Sequence, residues 1–396
     1  MEYELLSPAG DTECLEAALA FGADAVYIGG PFMQMRAAKA GFDMTSIASS
    51  VQKAHEANKK LYVAVNSLAK NSEIELISDY AESLGEVGVD ALIVCDLGVL
   101  SQIKSNCPDM PVFISTQASC MNYAAARVFH DMGADRIILA REASLEDIAE
   151  IRAKTPKTLE LEAFVHGSMC MAYSGRCLIS SFLRARSGNR GLCAQPCRWK
   201  YHLYEENTPN EYFEVEESEG GSAILSSCDL NMISHIEEMK QAGITSFKIE
   251  GRMKTAYYVA TVTSAYRRAI DGYDNLKKLE DELECVTHRP YSTGFYYGDA
   301  VHDTFNDGIY RTNADFVGRV LGWENGMLLV EQRNNFKLWD KLEILTPKGN
   351  GEEFTVKTII NPEGEKMEAA PHPKQIVRLA CDVKALKGDF LRRRKT

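Results

Sequence analysis

Residues 21–29 read FGADAVYIG, and this stretch sets the fold because its pattern recurs. A helix-like run ends in glycine, a small or apolar residue and an Asp or Thr follow, and a short apolar run comes next. The same order is found in VGVDALIVCD (87–96), MGADRIILAR (132–141) and AGITSFKIEG (242–251). Gly22, Gly88, Gly133 and Gly243 can take the left-handed conformation that ends a helix without a Cβ penalty, so each instance predicts a helix stop followed by a strand. Runs as apolar as AVYIG and ALIVC suit a parallel sheet covered on both faces.

Working outward, YELLSPA (3–9), LYVAVN (61–66), PVFIST (111–116) and LEAFVHG (161–167) complete eight candidate strands before residue 252. Helical periodicity separates most of them, as in DTECLEAALAFG, where Leu15, Ala18, Leu19 and Gly22 share one face. Eight β/α units in about 270 residues is the size of a TIM barrel. The rival, a doubly wound open sheet, would want a glycine-rich dinucleotide fingerprint after the first strand, and none follows. The expected fold is therefore α/β, a (β/α)8 TIM-type barrel over residues 1–282.

On that register strand seven covers about 160–166, helix seven 229–243 and strand eight SFKIEG. Residues 167–228 then form a long cysteine-bearing insertion at the C-terminal face, where barrel enzymes keep their active sites. The part from 201 to 222 reads as an acidic hairpin or flap. A connecting segment, 283–310, contains HRPYSTGFYYGD (288–299) and is expected to wrap back toward the barrel mouth. Residues 311–396 alternate short strands with turn residues, which reads as a small C-terminal antiparallel β-barrel domain.

Composition is ordinary for a globular chain, with 45% hydrophobic and 25% charged residues. The sequence has no apolar run of membrane-spanning length and no signal-like N-terminus, so a cytoplasmic protein with no membrane partner is expected. A net charge of −12 opposes long-range attraction to nucleic acid or anionic lipid. Locally the balance reverses: Arg176, Arg184, Arg186, Arg190, Arg198 and Lys200 lie in a stretch without acidic residues, and the tail reads RRRK. Such patches can hold phosphates or an anionic small molecule, or they can be solvated loop.

Cys170, Cys177, Cys193 and Cys197 fall within 28 positions, with spacing C-x6-C-x15-C-x3-C, and Cys228 follows. In a reducing compartment such a group points to metal binding or catalysis rather than disulfides. Thiolates suit zinc or an iron-sulfur cluster, although the spacing is neither a paired-CxxC zinc ribbon nor CxxxCxxC. The six scattered cysteines read as small buried hydrophobes.

Five motifs in order, ELLSPAG, FVHGSMCMAYSGRCLISS, GNRGLCAQPCRWKY, FKIEGRMK and HRPYSTGFYYG, resemble the U32 family of collagenase-like peptidases. The resemblance covers residues 3 to about 300 and extends into the C-terminal domain. It implies a barrel holding an oxygen-sensitive 4Fe-4S cluster, with Cys170, Cys177, Cys193 and Cys228 as ligands and Cys197 as the alternative fourth. It further implies oxygen-independent hydroxylation of a tRNA wobble uridine, a ribosomal RNA cytidine or a ubiquinone precursor, with prephenate as the oxygen donor. Four cysteine ligands favour electron transfer or bracing over an open iron site.

Peptidase chemistry fits the residues less well. HEANK at His55 lacks the second His of HExxH, HGSMC is not GxSxG, and Cys170 paired with His166 would need a thiolate that a metal would consume. A zinc-braced binding protein is the other alternative.

For hydroxylation, polar residues crown the candidate strands: Glu4, Ser7, Tyr27, Asn66, Asp96, Thr116, Gln117, Arg141, Glu142, His166, Lys248, Glu250 and Arg252. Arg141, Lys248 and Arg252 suit a dicarboxylate such as prephenate, and Glu250 and His166 suit proton transfer. Each could equally be an ion-paired or hydrogen-bonded structural residue. RNA is the favoured substrate class, with Arg184, Arg186, Arg190 and Arg198 on phosphates and Tyr173, Trp199, Tyr291 and Phe295 stacking on a base. The 5-hydroxyuridine of tRNA is the first choice by resemblance, with an electron-transfer protein and a second U32-family subunit as further partners.

Overall fold

Eight parallel strands close on themselves. They are β1 (Glu4–Pro8), β2 (Ala25–Gly29), β3 (Lys60–Val65), β4 (Ala91–Val94), β5 (Val112–Ile114), β6 (Arg136–Ile138), β7 (Glu160–Ser168) and β9 (Ser246–Ile249). Each pairs with the next, and β9 pairs in parallel with both β7 and β1, which completes the barrel. The computed structural model describes residues 3–34, 41–170, 177–199, 228–298 and 310–395. The expected hairpin at 201–222, Tyr173, Arg176, Lys200 and the side chain of Arg198 lie outside the described residues.

The glycine stops behave as the sequence predicts. Gly22 has φ +104° and Gly243 has φ +96°. A Cβ at Gly243 would also meet Arg152 Cγ at 2.3 Å, so the position requires glycine for space as well as conformation. Helix starts are fixed by side-chain caps: Asp11 accepts from the Cys14 N–H, and Asp96 from the N–H groups of Gly98 and Val99. Asp96 is thus occupied as a helix cap and does not line the cavity at the barrel mouth. Among the described residues no helix is long and apolar enough to cross a membrane.

The expected helix over 229–243 is corrected. Asp229–Asn231 is a strand, β8, antiparallel to the end of β7, and helix begins only with a 3-10 turn at Ile233–His235 followed by Ile236–Gln241. The cause is a buried ion pair: Arg289 Nη2 lies 2.7 Å from Asp229 Oδ1, and both residues are almost fully enclosed. This pair holds Asp229 extended, and β10 (Tyr291–Ser292) adds beside β8 in parallel. The connecting segment therefore does return to the C-terminal end of β7, where the Tyr296 hydroxyl donates to the Phe164 carbonyl at 2.6 Å.

The C-terminal domain is an eight-stranded antiparallel sheet with a two-stranded ribbon, around its own core of Val317, Val320, Leu328, Phe336, Leu342 and neighbours. As expected the domain is antiparallel, and among the described residues its strand order runs from Gly349–Thr355 to Lys366–Met367. Phe390 packs into the core of the TIM barrel against Phe21 and Tyr257. The basic tail is corrected as well. Arg392 is fully buried between Glu282 and Glu343, Arg394 shares both carboxylates, and Arg393 pairs with Asp315 and Asp340. Arg392 and Arg394 join the two domains through Glu282, and all three cations are already neutralised.

Candidate functional site

The C-terminal ends of the strands enclose a cavity of about 130 Å³ at the barrel mouth. Its floor is built on a charged layer inside the barrel. Lys248 points its Nζ to Glu162 Oε1 at 2.7 Å, and Glu162 Oε2 lies 2.9 Å from Arg136 Nη1. Arg136 also pairs with Glu4, which accepts hydrogen bonds from Tyr62 and Ser246. Burial pushes the Lys248 pKa down and Glu162 opposes it. Lys248 Nζ sits 4.4 Å from the Tyr27 ring centroid. Burial, then the Glu250 carboxylate, raise the Tyr27 phenol far above its ordinary pKa, so it stays a neutral donor to the Ile249 carbonyl at 3.0 Å.

Above this floor stand two arginines. Arg141 lies with its guanidinium carbon 3.9 Å from the Phe164 ring centroid and its Nη2 3.5 Å from Glu250 Oε2. Arg252 donates to Gln34 Oε1 at 3.3 Å. Glu250 is fixed through its backbone: its N–H donates to the His166 carbonyl, and its carbonyl accepts from the Tyr258 hydroxyl. Gly167, at φ +105°, makes this possible, because a Cβ there would lie 2.4 Å from the Glu250 oxygen. On the opposite wall Thr116 Oγ1 and Gln117 Oε1 are buried without a hydrogen-bond partner among the described residues. Two unsatisfied polar atoms on a cavity wall are suited to a ligand that brings its own partners.

The remaining wall is sulfur. Cys170, Cys177, Cys193 and Cys197 all line the cavity. Cys193 Sγ accepts from the Gln195 N–H at 3.3 Å, with Gln195 in the left-handed conformation. The loop is tied across the mouth by Arg190, which donates to the Leu68 carbonyl at 2.7 Å and to Glu73 Oε1 at 2.6 Å. Cys228 is buried just before β8, one step beyond the Ser168–Asp229 pairing, and does not line the cavity. Among the described residues no three Cys, His, Asp or Glu side chains are grouped closely enough for one metal ion. Four thiols around one cavity, one already receiving a backbone N–H, are nevertheless the donor chemistry an iron-sulfur cluster takes.

Of the expected site residues, Arg141, Lys248, Glu250 and Arg252 meet at this cavity with the four thiols. His166 does not. It is 1% exposed and packs against Tyr258, Tyr266 and Tyr291, and burial pulls its pKa down to about 3. A break in the β7–β9 register between Phe164 and His166 turns its ring away from the cavity that Phe164 lines. Arg190 is spent on Glu73 rather than open for phosphate. Tyr291 stacks on His288 at 4.0 Å and Phe295 packs on the core, and neither lines the cavity. Arg184 lies 4.6 Å over the Trp199 ring. The sequence reading missed Glu162, although its i, i+2 spacing to Phe164 on β7 puts both on the inner face.

The fold and this mouth define a TIM-type barrel protein with a cysteine-bearing loop over a cationic cavity. Residues 10–306 match peptidase family U32 and residues 312–392 match the peptidase family U32 C-terminal domain. The chain belongs to peptidase family U32. It is 38% identical to tRNA hydroxylation protein P1 of Bacillus subtilis, over 99% of this chain and 95% of that protein. It is 36% identical to tRNA hydroxylation protein P of Escherichia coli, over 93% and 91%. With a 23S rRNA 5-hydroxycytidine synthase of Escherichia coli the identity is 38%, over 78% of this chain and 45% of that protein.

Proposed function

We propose that this protein hydroxylates an RNA base without molecular oxygen, converting the tRNA wobble uridine to 5-hydroxyuridine, with prephenate as oxygen donor. The observation that carries the proposal is the meeting of Arg141, Lys248 and Arg252 with four thiols on one cavity. The names of the relatives, two of them nearly full-length matches, support RNA hydroxylation. Replacing C–H by C–OH oxidises the base carbon by two electrons, so the donor that gives up its hydroxyl is reduced by two: R–H and R′–OH become R–OH and R′–H.

In this proposal Arg141, Arg252 and Lys248 bind the carboxylates of the donor by charge-assisted hydrogen bonds. Thr116 Oγ1 and Gln117 Oε1 accept from its hydroxyl. Glu250 carries the proton between base carbon and donor. Cys170, Cys177, Cys193 and Cys228, or Cys197 in place of Cys228, would hold a 4Fe-4S cluster, which supplies one-electron transfer when bound. A Cys170–His166 peptidase dyad has no support, since His166 is enclosed by tyrosines behind the strand.

The test is anaerobic purification with iron and sulfide analysis, together with nucleoside analysis of tRNA from cells carrying or lacking the gene. About four irons per chain and 5-hydroxyuridine that disappears with the gene are expected. Loss of iron in Cys228→Ala but not Cys197→Ala would identify the fourth ligand. A protein holding zinc or no metal, with unchanged tRNA, would overturn the proposal.

A further inference from the structure

Glu250 faces a second space. Beyond the turn that follows β9 lies a cavity of about 400 Å³, bounded by Ser168, Gln195, Glu250, Met253, Lys254 and Tyr310. Gln195 and Glu250 line both this outer cavity and the inner one, so their side chains form the partition. The two chambers differ in charge. Among the described residues the inner has three cations and four thiols, and the outer has one cation, Lys254, beside the Glu250 carboxylate. A dicarboxylate belongs in the inner chamber, and the outer one suits a mostly neutral group with a single anionic attachment.

The outer walls indicate what that group is. Tyr310 is 45% exposed and Met253 46%, so an aromatic ring and a thioether stand at the opening. Lys254 Nζ is held between the Tyr258 and Tyr310 rings, 5.0 and 5.5 Å from their centroids, and donates to the Thr287 carbonyl at 3.0 Å. The Gln195 amide offers a donor and an acceptor on one planar group. A stacking face, an amide to pair with an edge and a fixed cation for a phosphate are the means by which proteins seat an unstacked base from a single-stranded loop.

We propose that the outer cavity receives the extruded base of the RNA substrate, stacked on Tyr310, with its edge on Gln195 and its phosphate toward Lys254. Glu250 then stands between base and oxygen donor and faces both. This inference rests on the RNA reading above and adds where the RNA enters.

The experiment uses the full-length protein, purified anaerobically, and a synthetic anticodon stem-loop with 4-thiouridine at the wobble position. After irradiation, cross-links should map to Tyr310 or the 251–254 turn. Tyr310→Ala should weaken stem-loop binding about tenfold, the order of one lost base stack, and Tyr310→Phe should restore it. Prephenate binding by Tyr310→Ala should match wild type, which shows that the variant is folded. Cross-links confined to the C-terminal sheet, or unchanged affinity in Tyr310→Ala, would overturn the outer cavity as the base site while leaving RNA hydroxylation intact. Failure of the wild-type protein to bind the stem-loop, with unaltered cellular tRNA, would remove both proposals.

Discussion

Glu162 and Lys248 form an ion pair inside the barrel, 2.7 Å apart, with Glu162 wholly excluded from solvent. The pair fixes a cation beneath the cavity, and Arg136 on the other carboxylate oxygen keeps the layer balanced. Glu162→Gln leaves two cations without their shared partner. It should cost about 3–5 kcal/mol of stability, read as a lower melting temperature. It should also depress the Lys248 pKa further, since the carboxylate that most strongly opposes the effect of burial is removed. Lys248 holds a carboxylate only when protonated, so prephenate affinity should decline at a lower pH in the variant. Calorimetric titrations across pH check this, and an unchanged midpoint would count against the role of Glu162.

His166 makes a second, independent pH effect. Its pKa falls from 6.5 to about 3 on folding because burial disfavours the imidazolium. Below pH 6.5 the unfolded chain gains a proton that the native chain does not, so stability is lost as pH drops from about 6.5 to about 3. The full loss is on the order of 5 kcal/mol. His166→Phe keeps an aromatic ring and removes the titration, so denaturant unfolding of the variant should show a flatter acid limb. An identical slope in both proteins would mean that other groups carry it.

Two glycines separate strain from collision. Gly272 has φ +87° and open space where a methyl group would stand, whereas Gly167 has φ +105° and the Glu250 carbonyl oxygen 2.4 Å from any Cβ. Gly272→Ala should cost about 1 kcal/mol and Gly167→Ala about 3 kcal/mol or more. Equal losses in chemical denaturation would show that β7 yields easily at this point.

Arg190 ties the sulfur-bearing loop to Glu73 and Leu68 across the mouth. The pair is partly exposed, so Arg190→Ala should leave the melting midpoint within about 2 °C. Local opening is another matter, and amide exchange in residues 177–199 should accelerate. Protection equal to wild type there would mean that other contacts hold the loop.

The barrel was legible because its signals are local. Each helix stop needs only a glycine and the apolar run after it, as at Gly22 and β2. What escaped depends on partners distant in sequence or on a single irregularity. Asp229–Asn231 sits in a helix-like run, DLNMISHIEEMKQAG, and is drawn out as strand by Arg289, whose guanidinium is sixty residues away. His166 follows Glu162 and Phe164 in strict alternation, and that alternation places it inside the barrel; one break in the β7–β9 register reverses the side. The cationic rim was readable since Lys248, Glu250 and Arg252 alternate at the C-terminal end of β9 and just beyond it. Charge alone did not distinguish Arg252, which faces the cavity, from Arg392, which is enclosed between carboxylates.

Arg392 also bears on the order in which the molecule is made. Its partner Glu282 precedes it by 110 residues, so on the ribosome the TIM barrel is synthesised with that carboxylate still hydrated. The face that will meet the second domain thus begins with a hydrated carboxylate beside the still uncovered rings of Phe21 and Tyr257. Only when the strand Phe390–Arg394 arrives does the guanidinium neutralise Glu282 and Glu343 and Phe390 enter beside Phe21. Protease protection of stalled nascent chains should therefore rise in two stages, with the helix Leu276–Leu283 secured in the second.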